Sequence, residues 1–106
     1  MSKITKSAKG EDCQVRIPGV CNFDPSTTIP AHRNGGGVAM KVHDIFTAYC
    51  CSACHDVVDG RVKTEYTHEE ILIWFYEGIF RTQEKVIKKG LIKVEGEKNV
   101  RNPRKW

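Results

Sequence analysis

The sequence predicts an α+β fold in which a short, turn-rich N-terminal half is stapled by zinc and followed by a long amphipathic helix. Three observations predict it. Four of the five cysteines, Cys13, Cys21, Cys51 and Cys54, fall into two groups that can each supply half of a metal site. Short β-prone pieces in the first half lie between Gly and Pro turns. Residues 67–90 carry both a start and a stop signal for a helix.

At 106 residues the chain is read as one domain. Chains of this size bury only roughly 60–65% of their unfolded surface, so the core alone confers modest stability and a staple is useful. The chain is 40% hydrophobic and 28% charged, and no apolar run approaches the roughly 20 residues of a membrane span. The N-terminus, "MSKITKSAKGED", is basic without an apolar stretch, so no signal peptide is expected and a reducing cytoplasm is. In that compartment five cysteines, an odd number at short spacings, point to metal rather than disulfides.

Residues 1–10 read as a basic arm carrying Lys3, Lys6 and Lys9. Residues 11–66 form the expected zinc-bound core. Within it "CQVRI" reads as one strand, Pro18-Gly19 and Asp24-Pro25 as turns, and "STTIPAH" as a second strand. Pro30 lacks a backbone donor and places that second strand at an edge. "RNGGGVAMK" is a glycine loop through Gly35, Gly36 and Gly37, and "CSACHDVVD" a short helix ended by Gly60. Thr67 and Glu70 make a capping box and Gly90 a stop. Between them Ile71, Trp74, Phe75, Gly78, Ile79, Thr82 and Val86 recur at helical spacing, over about 22 residues or roughly 33 Å. That aromatic stripe reads as core or dimer contact. A face bearing Trp74, Phe75 and Ile79 is apolar enough to suggest a homodimer. Residues 91–106 read as a short strand and a basic tail.

The net charge is +4 and the pI about 8.9, with the positive residues gathered at both ends. Basic arms suit a polyanion, because neutralising phosphates releases counterions. On charge alone, a solubilising tail fits equally well.

Zinc takes four tetrahedral ligands, and a Cys-x-x-Cys turn presents two thiolates to one ion with little strain. Cys51 and Cys54 are such a pair. Cys13 and Cys21, either side of the Pro18-Gly19 turn, can supply the other two. Two alternatives stay open: a mixed site in which His55 replaces a thiolate, or no structural metal. Cys50 reads as a small buried apolar residue.

The run "CQVRIPGVCN", then "AH", then "CSACHD" resembles the HNH, or His-Me finger, endonucleases, and most closely the small phage and prophage proteins of the YbcO type, to which a nuclease role is ascribed. The resemblance covers roughly residues 6–90. It implies a zinc-stapled ββα-metal core, HNH or treble-clef-like, with a long C-terminal amphipathic helix, and a metal-dependent endonuclease hydrolysing DNA phosphodiester bonds in phage or prophage recombination or DNA processing. It also implies site residues. His32 matches the general base and His55 the ligand of a catalytic divalent ion, Mg2+, Mn2+ or Zn2+, distinct from the structural zinc. Asp44 stands where the pattern carries an asparagine that orients the base. Arg33, Lys41, the glycine loop and the basic tail would line the phosphate track. Asp56 is a further candidate ligand or a solvated carboxylate, His43 an assisting or solvated histidine, and His68 a surface residue. The chain departs from the pattern at Ala31, where a metal-binding side chain is usual, and at Asp44. A non-catalytic zinc-stapled DNA-binding module is therefore the alternative function.

Overall fold

In a computed structural model of the chain, the structure describes residues 3–32 and 43–92. The elements are a short helix α1 (Lys3–Lys6), strands β1 (Ile29–His32) and β2 (Thr47–Cys50), helix α2 (Ser52–Val58) and helix α3 (His68–Lys88). β1 and β2 pair antiparallel, with Ile29 opposite Cys50 and His32 opposite Thr47. A two-stranded sheet is marginal by itself and needs a packing partner. α3 provides it, lying across β2, all four of whose residues are buried.

α3 begins as its sequence dictates. Thr67 Oγ1 accepts the Glu70 backbone N–H at 3.1 Å, and Glu70 Oε1 accepts the Thr67 N–H at 2.8 Å. Both α2 and α3 end in the same way, on a left-handed glycine whose neighbours close the last carbonyls. Gly60 (φ 81°) follows α2, with Arg61 N–H donating to Asp56 O; Gly90 (φ 76°) follows α3, with Leu91 N–H donating to Val86 O.

The core is built around Val15, Ile17, Ala31, Ala48, Cys50, Val57, Phe75 and Ile79. Phe75 and Ile79 are thus spent inside the protomer, and Trp74 packs edge-on against Tyr66 at 4.7 Å between ring centroids. Of the two readings of that face, core or dimer contact, the structure takes core. Gly78 lies on that buried face and admits Val15: a Cβ placed there would sit 2.7 Å from Val15 Cγ2 and 3.0 Å from its Cα. Gly78→Ala gains about 1 kcal/mol of helix propensity and incurs about 1–3 kcal/mol of overpacking against backbone. The expected result is a net loss of stability, read as a lower midpoint in urea at unchanged slope.

Three expectations are corrected. "CQVRI" is no strand: Arg16 turns into the left-handed region (φ 56°), and the segment is tied down singly. Gln14 N–H donates to Tyr49 O at 2.8 Å, and Arg81 Nη1 reaches Gln14 O at 2.7 Å. The second strand is "TAYC", directly before α2. The N-terminal stretch is not a free arm, because Ile4 and Ala8 are apolar and pack with Tyr49 and Val86. Tyr49 O–H, fully buried, reaches Ser7 Oγ at 2.6 Å, and Ser7 in turn donates to Ile4 O at 2.6 Å. No strand follows Gly90 at Leu91 and Ile92, and the residues beyond lie outside those described. Among the described residues no helix is long and apolar enough to cross a membrane.

Candidate metal centre and the histidine site

The four cysteines singled out in the sequence come together. Cys13 heads the segment that crosses β2, Cys21 follows the Pro18-Gly19 turn (Gly19 φ 73°), Cys51 caps α2, and Cys54 lies in its first turn. Their sulfurs all lie within 4.8 Å of one another. A tetrahedron of Zn–S bonds of about 2.3 Å sets sulfurs about 3.8 Å apart, and Cys21 Sγ lies 3.9 Å from Cys51 Sγ. The donor set therefore fits zinc, with all four ligands from the chain and no position left open. Backbone geometry supports two of the ligands in the same way: Cys13 Sγ accepts the Arg16 N–H at 3.5 Å, and Cys51 Sγ the Cys54 N–H at 3.4 Å. The chain between Cys13 and Arg16 doubles back so that this N–H meets the sulfur, and it leaves through the left-handed Arg16 in place of the expected strand.

The electrostatics of the cluster point the same way. Hydrogen bonds from the Cys50 and Cys54 thiols hold Cys13 far below the usual thiol range, while donating to Cys13 pushes those two up. Burial pushes the Cys21 thiol up to about 11. Protein groups alone thus favour a negative sulfur at Cys13 and oppose one at Cys21 and Cys54; a divalent cation is what would offset that opposition. Cys50 was expected to be a small apolar filler. It is fully buried in the core beside the cluster, as that reading has it.

The second site lies at the far end of the hairpin. His32 ends β1, and its Nε2 lies 2.9 Å from Asp44 Oδ1. Asp44 begins a 3-10 turn, Asp44–Phe46, held from both sides. His43 Nδ1 accepts the Ile45 N–H at 3.0 Å, and Gln83 Nε2 of α3 donates to Ile45 O at 2.8 Å. His43 is therefore the cap of the turn, and Gln83 a support that sequence reasoning missed; its only signal was a polar residue on α3 at core-adjacent spacing. The His32 and Asp44 side chains are 39% and 33% exposed, open enough to meet a substrate.

His55 lies on α2, where its Nε2 is 3.4 Å from Asp59 Oδ2 one turn on. Arg61 reaches both Asp59 and Asp56 at 3.2 Å, so Asp56 is engaged in an ion pair. Among the described residues, only the four cysteines form a group of three or more converging Cys, His or carboxylate donors. His68 opens α3 and is exposed. Arg33, Lys41, the glycine loop and the basic tail lie outside the described residues.

Comparison with known proteins gives a consistent picture. A protein family described as "Putative nuclease YbcO" matches residues 2–91. The Escherichia coli K12 protein called "Putative nuclease YbcO" is 44% identical over 99 residues, covering 88% of this chain and 99% of that one. The Enterobacteria phage 82 protein "Putative nuclease ybcO" matches with the same identity and coverage. The solved structure of a "putative bacteriophage protein" from Escherichia coli K-12 MG1655 superposes with a TM-score of 0.70 at 40% identity, over 82% of this chain and 99% of that one.

Proposed function

Because the chain belongs to the YbcO family, which its description and phage relatives associate with nuclease function, we propose that it is a metal-dependent endonuclease of the HNH type. Its substrate is DNA, and its setting is phage or prophage recombination or DNA processing. The observation that carries the reading is the His32–Asp44 pair at 2.9 Å. It stands at the end of a hairpin that runs directly into a helix opened by two cysteines.

The chemistry follows from the pair. An ionised carboxylate only accepts, so Asp44 selects the tautomer with the proton on Nε2 and leaves the lone pair on Nδ1. Nδ1 is then the atom that takes a proton from water as it attacks phosphorus. The resulting imidazolium is stabilised by the same carboxylate, with the logic of any base oriented by an acid behind it. His43 and Gln83 keep Asp44 in register by holding the turn. The four cysteines would hold zinc in a purely structural role. For the catalytic ion, the resemblance assigns His55; its neighbour Asp59 would serve as a second donor on leaving its ion pair with Arg61, which suits a hard cation that retains several waters and takes substrate phosphate as a further ligand. Such an ion, when bound, supplies Lewis-acid stabilisation of the leaving oxygen.

The reading is tested by incubating supercoiled plasmid and a branched DNA with the wild type and with His32→Ala, in magnesium, manganese or zinc. The two proteins are first matched for zinc content and circular dichroism. Cleavage by the wild type alone is expected. If neither protein cuts while both bind DNA equally, the chain is a zinc-stapled binding module without chemistry.

A further inference from the structure

α3 has a second apolar face. Ile73, Tyr76, Phe80, Gln83 and Ile87 follow one another at intervals of three, four, three and four residues, the spacing of a coiled-coil seam. This seam is not the buried stripe of Phe75, Gly78, Ile79, Thr82 and Val86. Its four large apolar members are 37% to 66% exposed, and with Phe46 they make up most of the exposed large hydrophobics among the described residues. Phe46, Tyr76, Phe80 and Gln83 border an open groove of about 320 Å³ whose floor is Ile79.

We propose that this seam is the interface of a two-fold symmetric dimer, formed by α3 of a second copy lying antiparallel across it. Three properties of the helix select that occupant. A two-fold contact must be self-complementary, and the apolar frame of the seam is: Ile73 and Ile87 lie seven residues either side of Phe80, while Tyr76 and Gln83 then face the partner's Glu84 and the partner's Glu77. An antiparallel partner centred there sets Ile73 on the partner's Ile87 and Phe80 on the partner's Phe80. The charges agree with that direction. The first turn of α3 carries Glu69 and Glu70 and the last carries Lys85 and Lys88, so antiparallel helices place acid against base, where parallel ones would place like against like. The area is also sufficient. Aromatic side chains bury about 150–250 Å² each, so the exposed seam amounts to several hundred Å², above what a monomer ordinarily leaves open. With its polar rim it approaches the roughly 800 Å² per partner of a stable interface.

The pairing does not depend on the nuclease reading, but it bears on the same turn. Phe46 borders the seam two residues from Asp44, and Gln83, a seam residue, holds Ile45 O. Dimerisation would bring two His32–Asp44 pairs beside one two-fold axis.

Sedimentation velocity of the zinc-loaded full chain, from micromolar to near-millimolar concentration, tests it. The wild type is expected to sediment at twice its 12.0 kDa chain mass. Phe80→Glu and Ile73→Asp, both on exposed side chains, should keep the wild-type circular dichroism and zinc content. Burying the new charge should weaken dimerisation about a hundredfold or more. Mixed Ile73→Cys and Ile87→Cys chains should form a disulfide under mild oxidation that neither forms alone. A wild type that stays monomeric at the highest concentration overturns the interface, as does a dimer that survives both charged substitutions. Cross-linking of Ile73→Cys to itself overturns the antiparallel direction.

Discussion

Cys54→Ser is expected to abolish stoichiometric zinc binding and with it most of the cooperative fold. Cys54 is fully buried in the first turn of α2, and its sulfur belongs to the group that ties the N-terminal segment to the helix start. Structural zinc contributes apparent binding free energies of about 10–16 kcal/mol in small zinc-folded peptides, whereas a whole domain is stable by only about 5–15 kcal/mol. Losing the ion therefore removes an amount comparable to the entire stability. A strong chelator should do the same to the wild type, releasing one zinc per chain as the thermal transition moves down or vanishes. Cys50→Ala is the control. It removes a buried sulfur beside the cluster but none of its four members, so it should keep one zinc per chain. The remaining cost is lost packing, about 0.5–1.5 kcal/mol as for a single buried methyl-sized group. Equal melting of the wild type with and without chelator, or full zinc retention by Cys54→Ser, would remove the metal from the account of stability.

The second large effect is on catalysis. His32→Ala should lower the cleavage rate by about 10²–10⁴-fold, the usual contribution of a positioned base, with fold and zinc unchanged because His32 is a partly exposed strand end. Asp44 separates orientation from charge. An asparagine oxygen can still accept the Nε2–H at the 2.9 Å now spanned by the carboxylate, so Asp44→Asn keeps the tautomer and loses only charge stabilisation of the imidazolium. Asp44→Ala loses both. Single-turnover rates are therefore expected to fall in the order wild type, Asp44→Asn, Asp44→Ala, with His32→Ala at or below the last. If Asp44→Ala cuts at the wild-type rate, the carboxylate does not orient the base, whatever His32 does.

Much of this architecture was legible in the chain because it is locally encoded. The capping box of Thr67 and Glu70 and the stop at Gly90 depend on residues a few positions apart, and so both ends of α3 appear where the sequence puts them. The Cys51 and Cys54 pair is local in the same sense, since one helical turn presents both sulfurs. Cys13 and Cys21 were harder, and were found because few other thiols remained. What failed was equally specific. "CQVRI" alternates like a strand, but its partners are Tyr49 O and Arg81, far along the chain, and its Arg16 N–H turns back onto the Cys13 sulfur. "TAYC" passed unnoticed because a strand buried on both sides has no alternation to reveal it.

The helix shows the same division most clearly. Periodicity established that residues 68–88 coil and that apolar side chains recur along them, for that depends only on the angle between successive residues. It could not say whether the stripe through Phe75, Gly78 and Ile79 would be consumed within the chain or between two chains. That was decided when β2 and Val15 packed against Phe75, Gly78 and Ile79, leaving Ile73, Tyr76 and Phe80 outward. Likewise, spacing marked the cysteines, and the resemblance of "AH" and "CSACHD" to the HNH pattern marked His32 and Asp44. Only the antiparallel register and the capped turn at His43 bring Asp44 within hydrogen-bonding distance of a histidine twelve residues away, because long-range contacts form through shared packing and not through any local preference of the residues that make them.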